Sequence, residues 1–232
     1  MRFRIVPDLG VEHASAVEID FYHDVPILVQ RKEPLEYMHN RLIKRFGDVA
    51  LSLLIILLIF PWLFPILILG VKMSGKGPVF FKQKRTGLKD GDFSIYKFRS
   101  MTVNSEADQT QAVAGDARST PFGRFIRKHN LDELPQFFNV LKGEMSVVGP
   151  RPHMLAHTEK YTALIDKYMV RHFTQPGITG LAQVSGLRGE TRTTKEMEER
   201  VKTDVYYIEN WSVLLDVKIV LLTVWNTITG RD

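Results

Sequence analysis

Residues 49–71, VALSLLIILLIFPWLFPILILGV, decide the fold of this chain, because these 23 positions carry no charged side chain. A helix of roughly 20 apolar residues is long enough to cross the hydrocarbon core of a bilayer. Pro61 and Pro65 fall inside the run, where each removes a backbone donor and disfavours a straight helix. The run therefore predicts two apolar helices with a membrane break at Pro61.

Basic residues stand on both sides of the apolar run: Arg41, Lys44 and Arg45 before it, and Lys72, Lys76, Lys82, Lys84 and Arg85 after it. Positive charge normally marks the cytoplasmic side of a membrane segment, so two basic flanks predict that both ends lie on one face. We therefore interpret residues 41–76 as a re-entrant helix-break-helix. A kinked span across the bilayer and a buried hairpin of a soluble protein are the alternatives.

Composition narrows the class of protein. The 232 residues are 44% apolar, an ordinary globular value that excludes a polytopic membrane protein. The absence of cysteine excludes disulfides and thiolate metal sites. The net charge is +5, and residues 72–128 hold 12 basic and 5 acidic side chains. Anionic lipid and phosphorylated substrates are the predicted partners of this local charge. Nucleic acid is not, since no helix-turn-helix, zinc or aromatic RNA-binding signature is present.

Two adjacent carboxylates, Asp132 and Glu133, stand in the segment NLDELPQ at residues 130–136. Apolar residues follow at the spacing of one buried helical stripe, which Gly143 ends: Leu134, Phe137, Phe138 and Leu141. The local pattern favours a helix cap, with Asp132 as N-cap or with Asn130 and Glu133 as a capping box. Arg124, Arg127 and Arg151 on the two sides favour the second interpretation, a carboxylate pair at a helix dipole that works on a phosphate.

The remaining segments predict a mixture of strands and helices. Residues 1–40 carry short β-like runs at 3–6, 17–21 and 27–29, which form either a small lid or the tail of a larger domain. Residues 79–81 and 93–96 predict a β-hairpin. Helices are predicted over residues 159–172, 195–210 and 212–228, and the last suits either a membrane interface or an ordinary core.

From about Lys44 to its end, the chain resembles the bacterial sugar transferases, the monotopic polyprenyl-phosphate phosphoglycosyl transferases. The resemblance rests on motifs that follow one another in order: Lys44-Arg45 with Asp48, GPVFF at 77–81, KFRSM at 97–101, TPFGR at 120–124, LDELPQ at 131–136, GPRP at 149–152, Arg171-His172, PGITG at 176–180 and AQV at 182–184. One departure is Phe60-Pro61, where the family often has Ser-Pro.

The resemblance, with the patterns above, implies an α+β, helix-rich monotopic membrane protein with a re-entrant helix-break-helix, a small β-hairpin and amphipathic interfacial helices. Residues 1–40 are then a β-rich remnant of the Rossmann-like module of larger members, so that the chain is a truncation. Residues 41–76 form the membrane helix and residues 77–232 the catalytic domain. The implied location is the cytoplasmic face of the bacterial inner membrane.

The resemblance also implies a mechanism and a set of site residues. Asp132 attacks the sugar-bearing phosphorus of a UDP-sugar, UMP leaves, and undecaprenyl phosphate then takes the sugar phosphate from the aspartate. Glu133 would hold Mg²⁺, which prefers carboxylate and phosphate oxygens. The implied substrate-binding residues are Lys97, Arg99, Arg124, Arg151, Pro152, Arg171 and Gln183.

The sequence determines neither which sugar is transferred nor the oligomeric state. Residues 188–191 and 206–212 resemble members that transfer glucose 1-phosphate in exopolysaccharide initiation, and galactose or N-acetylhexosamine phosphates are the alternatives. A catalytically silent scaffold of the same fold and a basic lipid- or nucleic-acid-binding protein are competing functions. The expected partners are a UDP-sugar, undecaprenyl phosphate and membrane lipids, and a homodimer stays open.

Overall fold

The computed structural model describes residues 17–22, 25–30, 32–102, 116–165, 167–189, 191 and 193–230. Strands β1 (Val17–Tyr22) and β2 (Val25–Gln30) pair antiparallel, which confirms the β character predicted for two of the N-terminal runs. The third predicted run, at residues 3–6, lies outside the described residues.

Two helices, α1 (Met38–Leu58) and α2 (Phe60–Met73), meet at a bend of 68° at Ile59. Pro61 lies in the first turn of α2, where its missing N–H leaves no helical hydrogen bond unmade. The Trp62 indole donates to the Leu58 carbonyl at 2.8 Å, so one carbonyl at the end of α1 keeps a partner. The predicted break near Pro61 is confirmed.

Within the described residues, no helix alone is both long and apolar enough to cross a membrane, although the bent pair of α1 and α2 meets the criteria of length and composition together. The pair leaves large apolar side chains exposed along its length, among them Phe46, Leu57, Trp62, Leu69 and Met73. Many large apolar side chains exposed on one pair of helices commonly mark an interaction site.

The elements that follow the helix pair are β3 (Phe80–Thr86), β4 (Asp92–Phe98), α3 (Pro121–Lys128), α4 (Gln136–Lys142), β5 (Ser146–Val148), α5 (Leu155–Thr162), β6 (Gly177–Thr179), α6 (Leu181–Val184), α7 (Thr194–Glu209) and α8 (Val213–Thr229). Strands β3 and β4 form the predicted hairpin, with Phe81 opposite Lys97. Strands β5 and β6 pair in parallel.

The parallel pair brings the GPRP and PGITG motifs together. The Gly149 amide donates to Thr179 and the Gly177 amide to Pro150, both at 2.9 Å. A Cβ on Gly177 would lie 2.1 Å from the Gly149 nitrogen, so only glycine permits this approach. The backbone on either side of Arg151 is thereby held by hydrogen bonds as well as by its two flanking prolines.

The helices predicted over residues 195–210 and 212–228 are confirmed as α7 and α8. The helix predicted over residues 159–172 is wrong. The chain leaves α5 at Thr162, takes a left-handed conformation at Lys167 (φ 61°) and continues as a 3₁₀ turn, Tyr168–Phe173. A buried contact between Arg171 in this turn and Asp204 on α7 fixes the segment, and the local apolar spacing could not reveal that contact.

Helix α8 buries Ile219 in the main core, together with Phe137 and Val140 of α4 and Ile208 of α7. Its other face leaves Leu214, Leu221, Trp225 and Ile228 exposed. The helix therefore lies at the surface of the molecule with an apolar side turned outward, and is not an ordinary core helix.

Lys44 on α1 ties the helix pair to three later elements. Its Nζ donates to the Val148 carbonyl at 2.9 Å, to the Tyr207 hydroxyl at 3.1 Å and to Asp216 Oδ2 at 2.8 Å. One turn further along α1, Asp48 Oδ1 accepts hydrogen bonds from the Ser146 hydroxyl and the Val147 amide, both at 2.9 Å. Buried polar contacts therefore set where α1 joins β5, α7 and α8.

Candidate active site

The two neighbouring carboxylates lie in a 3₁₀ turn, Leu131–Glu133, between α3 and α4. Asn130 enters this turn in the left-handed conformation (φ 57°), which Asn tolerates better than most residues. The Asp132 and Glu133 residues are only 7% and 6% exposed. Helix α4 ends at Gly143 with φ of 82°, as predicted.

The cap interpretation of the acid pair is wrong. The Asn130 amide donates to the Arg127 carbonyl rather than to Glu133. Helix α4 begins only at Gln136 and has seven residues, so its dipole is a minor influence on the carboxylates. Charged side chains from other parts of the chain determine their environment instead.

Three cations surround Glu133. Lys97 Nζ on β4 lies 2.7 Å from Glu133 Oε1, and Arg151 Nη2 lies 2.6 Å from the same oxygen. Arg151 Nη1 also donates to Oε2 at 3.3 Å. Arg188 Nη2 lies 3.8 Å from Oε2 and donates a hydrogen bond to the Asn130 side chain. Glu133 thus holds side chains from three separate segments in one place.

These contacts give the two acids different properties. Burial alone would raise the pKa of Glu133, but Arg151, Lys97 and Arg188 together hold that pKa well below its usual range. Burial also raises the pKa of Asp132, to about 6, although the charge of Lys97 opposes the rise. Pairs of acids whose environments separate their pKa values commonly divide the chemical roles of a site.

Asp132 is the less constrained of the two acids, since its carboxylate accepts no hydrogen bond from any residue that the structure describes. The cations whose charge acts on it are Lys97, Arg127 and Arg151. Together with Arg188, four cations therefore face two carboxylates. The excess positive charge suits an anionic ligand such as a diphosphate, and a carboxylate without a hydrogen bond is available as a nucleophile.

The model of the family described as bacterial sugar transferase matches residues 39–230.

The chain belongs to the bacterial sugar transferase family.

The predicted resemblance is thereby confirmed. The chain is 48% identical over 228 residues to the UDP-glucose:undecaprenyl-phosphate glucose-1-phosphate transferase of Escherichia coli, and 46% identical over 228 residues to the protein of the same name from Klebsiella pneumoniae. Each match covers 98% of this chain and 49% of the relative. The UDP-N-acetylgalactosamine-undecaprenyl-phosphate N-acetylgalactosaminephosphotransferase of Aeromonas hydrophila is 41% identical over 215 residues, which is 92% of this chain and 49% of that protein. The chain spans about half the length of these relatives.

Of the residues predicted to bind substrate, Lys97 and Arg151 lie directly at the acid pair. Pro152 is buried next to Arg151. Gln183 donates to the Ile178 carbonyl at 3.3 Å, and its buried Oε1 finds no hydrogen-bond partner among the described residues. Its contact with substrate stays a prediction.

Three predicted arginines are engaged elsewhere. Arg99 is buried and donates to the carbonyls of Val71 at 2.9 Å and Gly75 at 2.5 Å, at the end of α2. Arg124 is exposed and donates to the Ser119 carbonyl. The buried Arg171 pairs with Asp204. A direct phosphate contact by any of the three stays a prediction.

Arg188 and Arg127 complete the cation set, and neither belongs to the substrate-binding residues predicted from the sequence. Arg188 follows Leu187 and lies between Gly186 (φ 84°) and Gly189 (φ 95°), and an arginine in a short segment with two glycines could have been noticed as a side chain on a specially shaped loop. Arg127 follows Arg124 by three residues on α3. The charge of Arg127 acts on Asp132, and the sequence alone does not show which of the two arginines does so.

A magnesium ion fits this donor set only together with a substrate. Within the described residues, no group of three or more Asp, Glu or His side chains could hold a metal. Glu133 already accepts three hydrogen bonds, from Lys97 and Arg151, whereas Asp132 keeps its lone pairs. Mg²⁺ that acts on phosphates commonly uses one or two carboxylates and takes further ligands from the phosphates and water.

Proposed function

We propose that this protein transfers a sugar 1-phosphate, glucose 1-phosphate in the first place, from a UDP-sugar to undecaprenyl phosphate. The observation that carries the proposal is the buried Asp132 carboxylate beside a cluster of cations, in a chain whose relatives are named for this transfer. Initiation of an exopolysaccharide or capsule glycan is the corresponding role.

The reaction has two displacements at one phosphorus atom. An oxygen of Asp132 forms a bond to the sugar-bearing phosphorus, and the bond from that phosphorus to the bridging oxygen breaks, so that UMP leaves with the electron pair. A phosphate oxygen of undecaprenyl phosphate then attacks the same phosphorus and releases the Asp132 carboxylate. Covalent catalysis of this kind replaces one difficult transfer by two easier ones.

Lys97, Arg151 and Arg188 are placed to stabilise the charge that develops on the phosphate oxygens. In the free protein they neutralise Glu133, and the incoming diphosphate competes with Glu133 for them. Glu133, with Asp132, would also hold Mg²⁺, which supplies positive charge to the phosphates when it is bound. We retain Arg99, Arg124, Pro152, Arg171 and Gln183 as proposed members of a wider substrate site.

The test is release of UMP by the purified protein in vesicles that contain undecaprenyl phosphate, with a panel of UDP-sugars and Mg²⁺. We expect UDP-glucose to give the highest rate. UDP-N-acetylgalactosamine is the second candidate, because the Aeromonas hydrophila relative is named for that sugar. Absence of UMP release with every sugar would favour a catalytically silent scaffold.

We also propose that α1 and α2 enter and leave the cytoplasmic leaflet of the bacterial inner membrane on one side, with α8 in the interface. The 68° bend, the exposed apolar face and the basic residues at both ends of the pair support this arrangement. The chain has no cysteine, so single cysteines at Arg41 and Lys76 can report their side of the membrane. Both should be shielded from a periplasmic thiol reagent, and labelling of only one would indicate a span.

The pH dependence of the first displacement should report the ionisation of Asp132. Burial raises the pKa of this carboxyl to about 6, and only the ionised form attacks phosphorus. The single-turnover rate of UMP release is therefore expected to be level above about pH 7 and to fall roughly tenfold per pH unit well below about 6. A rate that stays level down to about pH 4.5 would contradict the raised pKa of the nucleophile.

A further inference from the structure

A buried ion pair links α7 to the 3₁₀ turn Tyr168–Phe173. The side chains of Arg171 and Asp204 are 1% and 2% exposed. Arg171 Nε donates to Asp204 Oδ2 at 2.8 Å, and Arg171 Nη2 also lies 2.8 Å from that oxygen. Breaking a buried pair by removing one partner is strongly destabilising, because the remaining charge is left without compensation. The orientation of the Arg171 guanidinium is therefore set by Asp204.

The remaining donors of Arg171 hold the segment that follows β5. Nη2 donates to the Arg151 carbonyl at 3.0 Å, and Nη1 lies 2.8 Å from His153 Nδ1, which also lies 2.7 Å from the Tyr168 hydroxyl. The residues immediately before and after Arg151 are prolines, whose φ angles are restricted. The guanidinium therefore fixes the main chain of Arg151 from one side while the proline rings restrict it from the other.

The side chain of Arg151 in turn binds Glu133 through two nitrogens, at 2.6 and 3.3 Å. A continuous series of contacts runs from Asp204 through Arg171 to the main chain of Arg151, and from its guanidinium to the acid pair. We propose that Asp204 and Arg171 are positioning residues, which act on the reaction by holding Arg151 in the geometry that receives a substrate phosphate. This inference rests on the proposed function for the role of Arg151.

The competing role for Arg171 is the direct phosphate contact predicted from the sequence. Each of its three guanidinium nitrogens already has a partner within the protein, and its side chain is almost fully buried. A phosphate could reach it only by displacing Asp204 or the Arg151 carbonyl. The two roles differ in how substitutions at these positions should combine.

The test is a double-mutant cycle read out by the affinity for inorganic pyrophosphate, measured by calorimetry on the full chain. Asp204→Asn is expected to weaken pyrophosphate binding roughly tenfold in the native background and to have almost no further effect in an Arg151→Lys background. Equal losses in both backgrounds would overturn the proposal, because they would show that Asp204 does not act through Arg151. Pyrophosphate affinity that is unchanged or higher in Asp204→Asn would likewise overturn it and favour direct contact by Arg171.

Two further variants separate positioning from general damage to the fold. Arg171→Lys keeps a positive charge opposite Asp204, but a lysine cannot reach all of the present partners of Arg171. Its affinity for pyrophosphate should therefore fall as much as expected for Asp204→Asn. This variant provides the test if Asp204→Asn does not fold. The control is Glu198→Gln, on the exposed side of α7 where Glu198 pairs with Lys202, and it should bind pyrophosphate like the native protein. Full affinity in a folded Arg171→Lys variant would contradict the proposal. Because pyrophosphate binding needs no turnover, these results stand apart from whether the protein releases UMP.

Discussion

The Asp132→Asn variant is expected to release UMP from UDP-glucose at less than about one-thousandth of the native rate, because an amide is not a nucleophile toward phosphorus. After incubation of the native protein with a UDP-sugar labelled in the sugar phosphate, without lipid acceptor, the label should be recovered on the peptide that contains Asp132. The variant should give no labelled peptide while still partitioning into membranes.

The same substitution should raise the melting temperature at neutral pH. The pKa of Asp132 rises from 3.8 to about 6 in the folded protein, so the folded state holds this proton more tightly than the unfolded chain. The free energy of unfolding therefore falls as the pH rises from about 4 to about 6, by roughly 3 kcal/mol at most. Asparagine does not titrate, so the advantage of the variant should be largest above about pH 7 and vanish below about pH 4.

The matched control is Asp92→Asn, which removes a carboxylate from an exposed position at the start of β4. It should leave both the UMP release rate and the melting temperature at native values. Retention of normal turnover by Asp132→Asn, or recovery of the label on another residue, would show that the nucleophile has been assigned incorrectly.

Lys44→Met is expected to be strongly destabilising. It leaves Asp216, which is 19% exposed in its side chain, without its cation beside the Tyr207 hydroxyl and the Trp211 indole. Loss of one partner of a buried pair typically costs about 3–5 kcal/mol. For a chain of this size the melting temperature in detergent should fall by roughly 6–20 °C.

Two comparisons identify the cause of that loss. Adding Asp216→Asn to Lys44→Met removes the uncompensated charge and keeps one side-chain oxygen as acceptor for Tyr207 or Trp211, so much of the stability should return. Lys202→Ala, which breaks the exposed pair with Glu198, should change stability by less than about 1 kcal/mol. Equal melting temperatures for Lys44→Met and Lys202→Ala would contradict the buried-network account.

Features that depend on nearby residues could be predicted from the sequence. Pro61 predicted the break between α1 and α2 because a missing N–H acts locally. Gly143 predicted the end of α4 because its left-handed conformation is a property of one residue and its immediate neighbours. Lys97 and Arg151, which the resemblance assigns to the substrate phosphates, contact Glu133, and their binding of substrate stays a prediction.

Features that depend on tertiary contacts could not be predicted in the same way. Arg99, Arg124 and Arg171 all belong to family motifs, yet burial and local partners place them at a helix end, at the surface and in an ion pair with α7. Asp204 lies in a helix of strongly charged sequence, where nothing distinguishes a buried carboxylate from a solvated one. Its role emerges only when the side chain opposite it is known.

The end of strand β4 connects the acid pair to the end of α2. Lys97 contacts Glu133, and Arg99, two positions further and on the same side of the chain, donates to a carbonyl in the last turn of α2. One step of two residues in an extended chain is about 7 Å. If the helix pair is seated in lipid, as proposed, the reacting carboxylate therefore lies close to the point where the chain leaves the membrane.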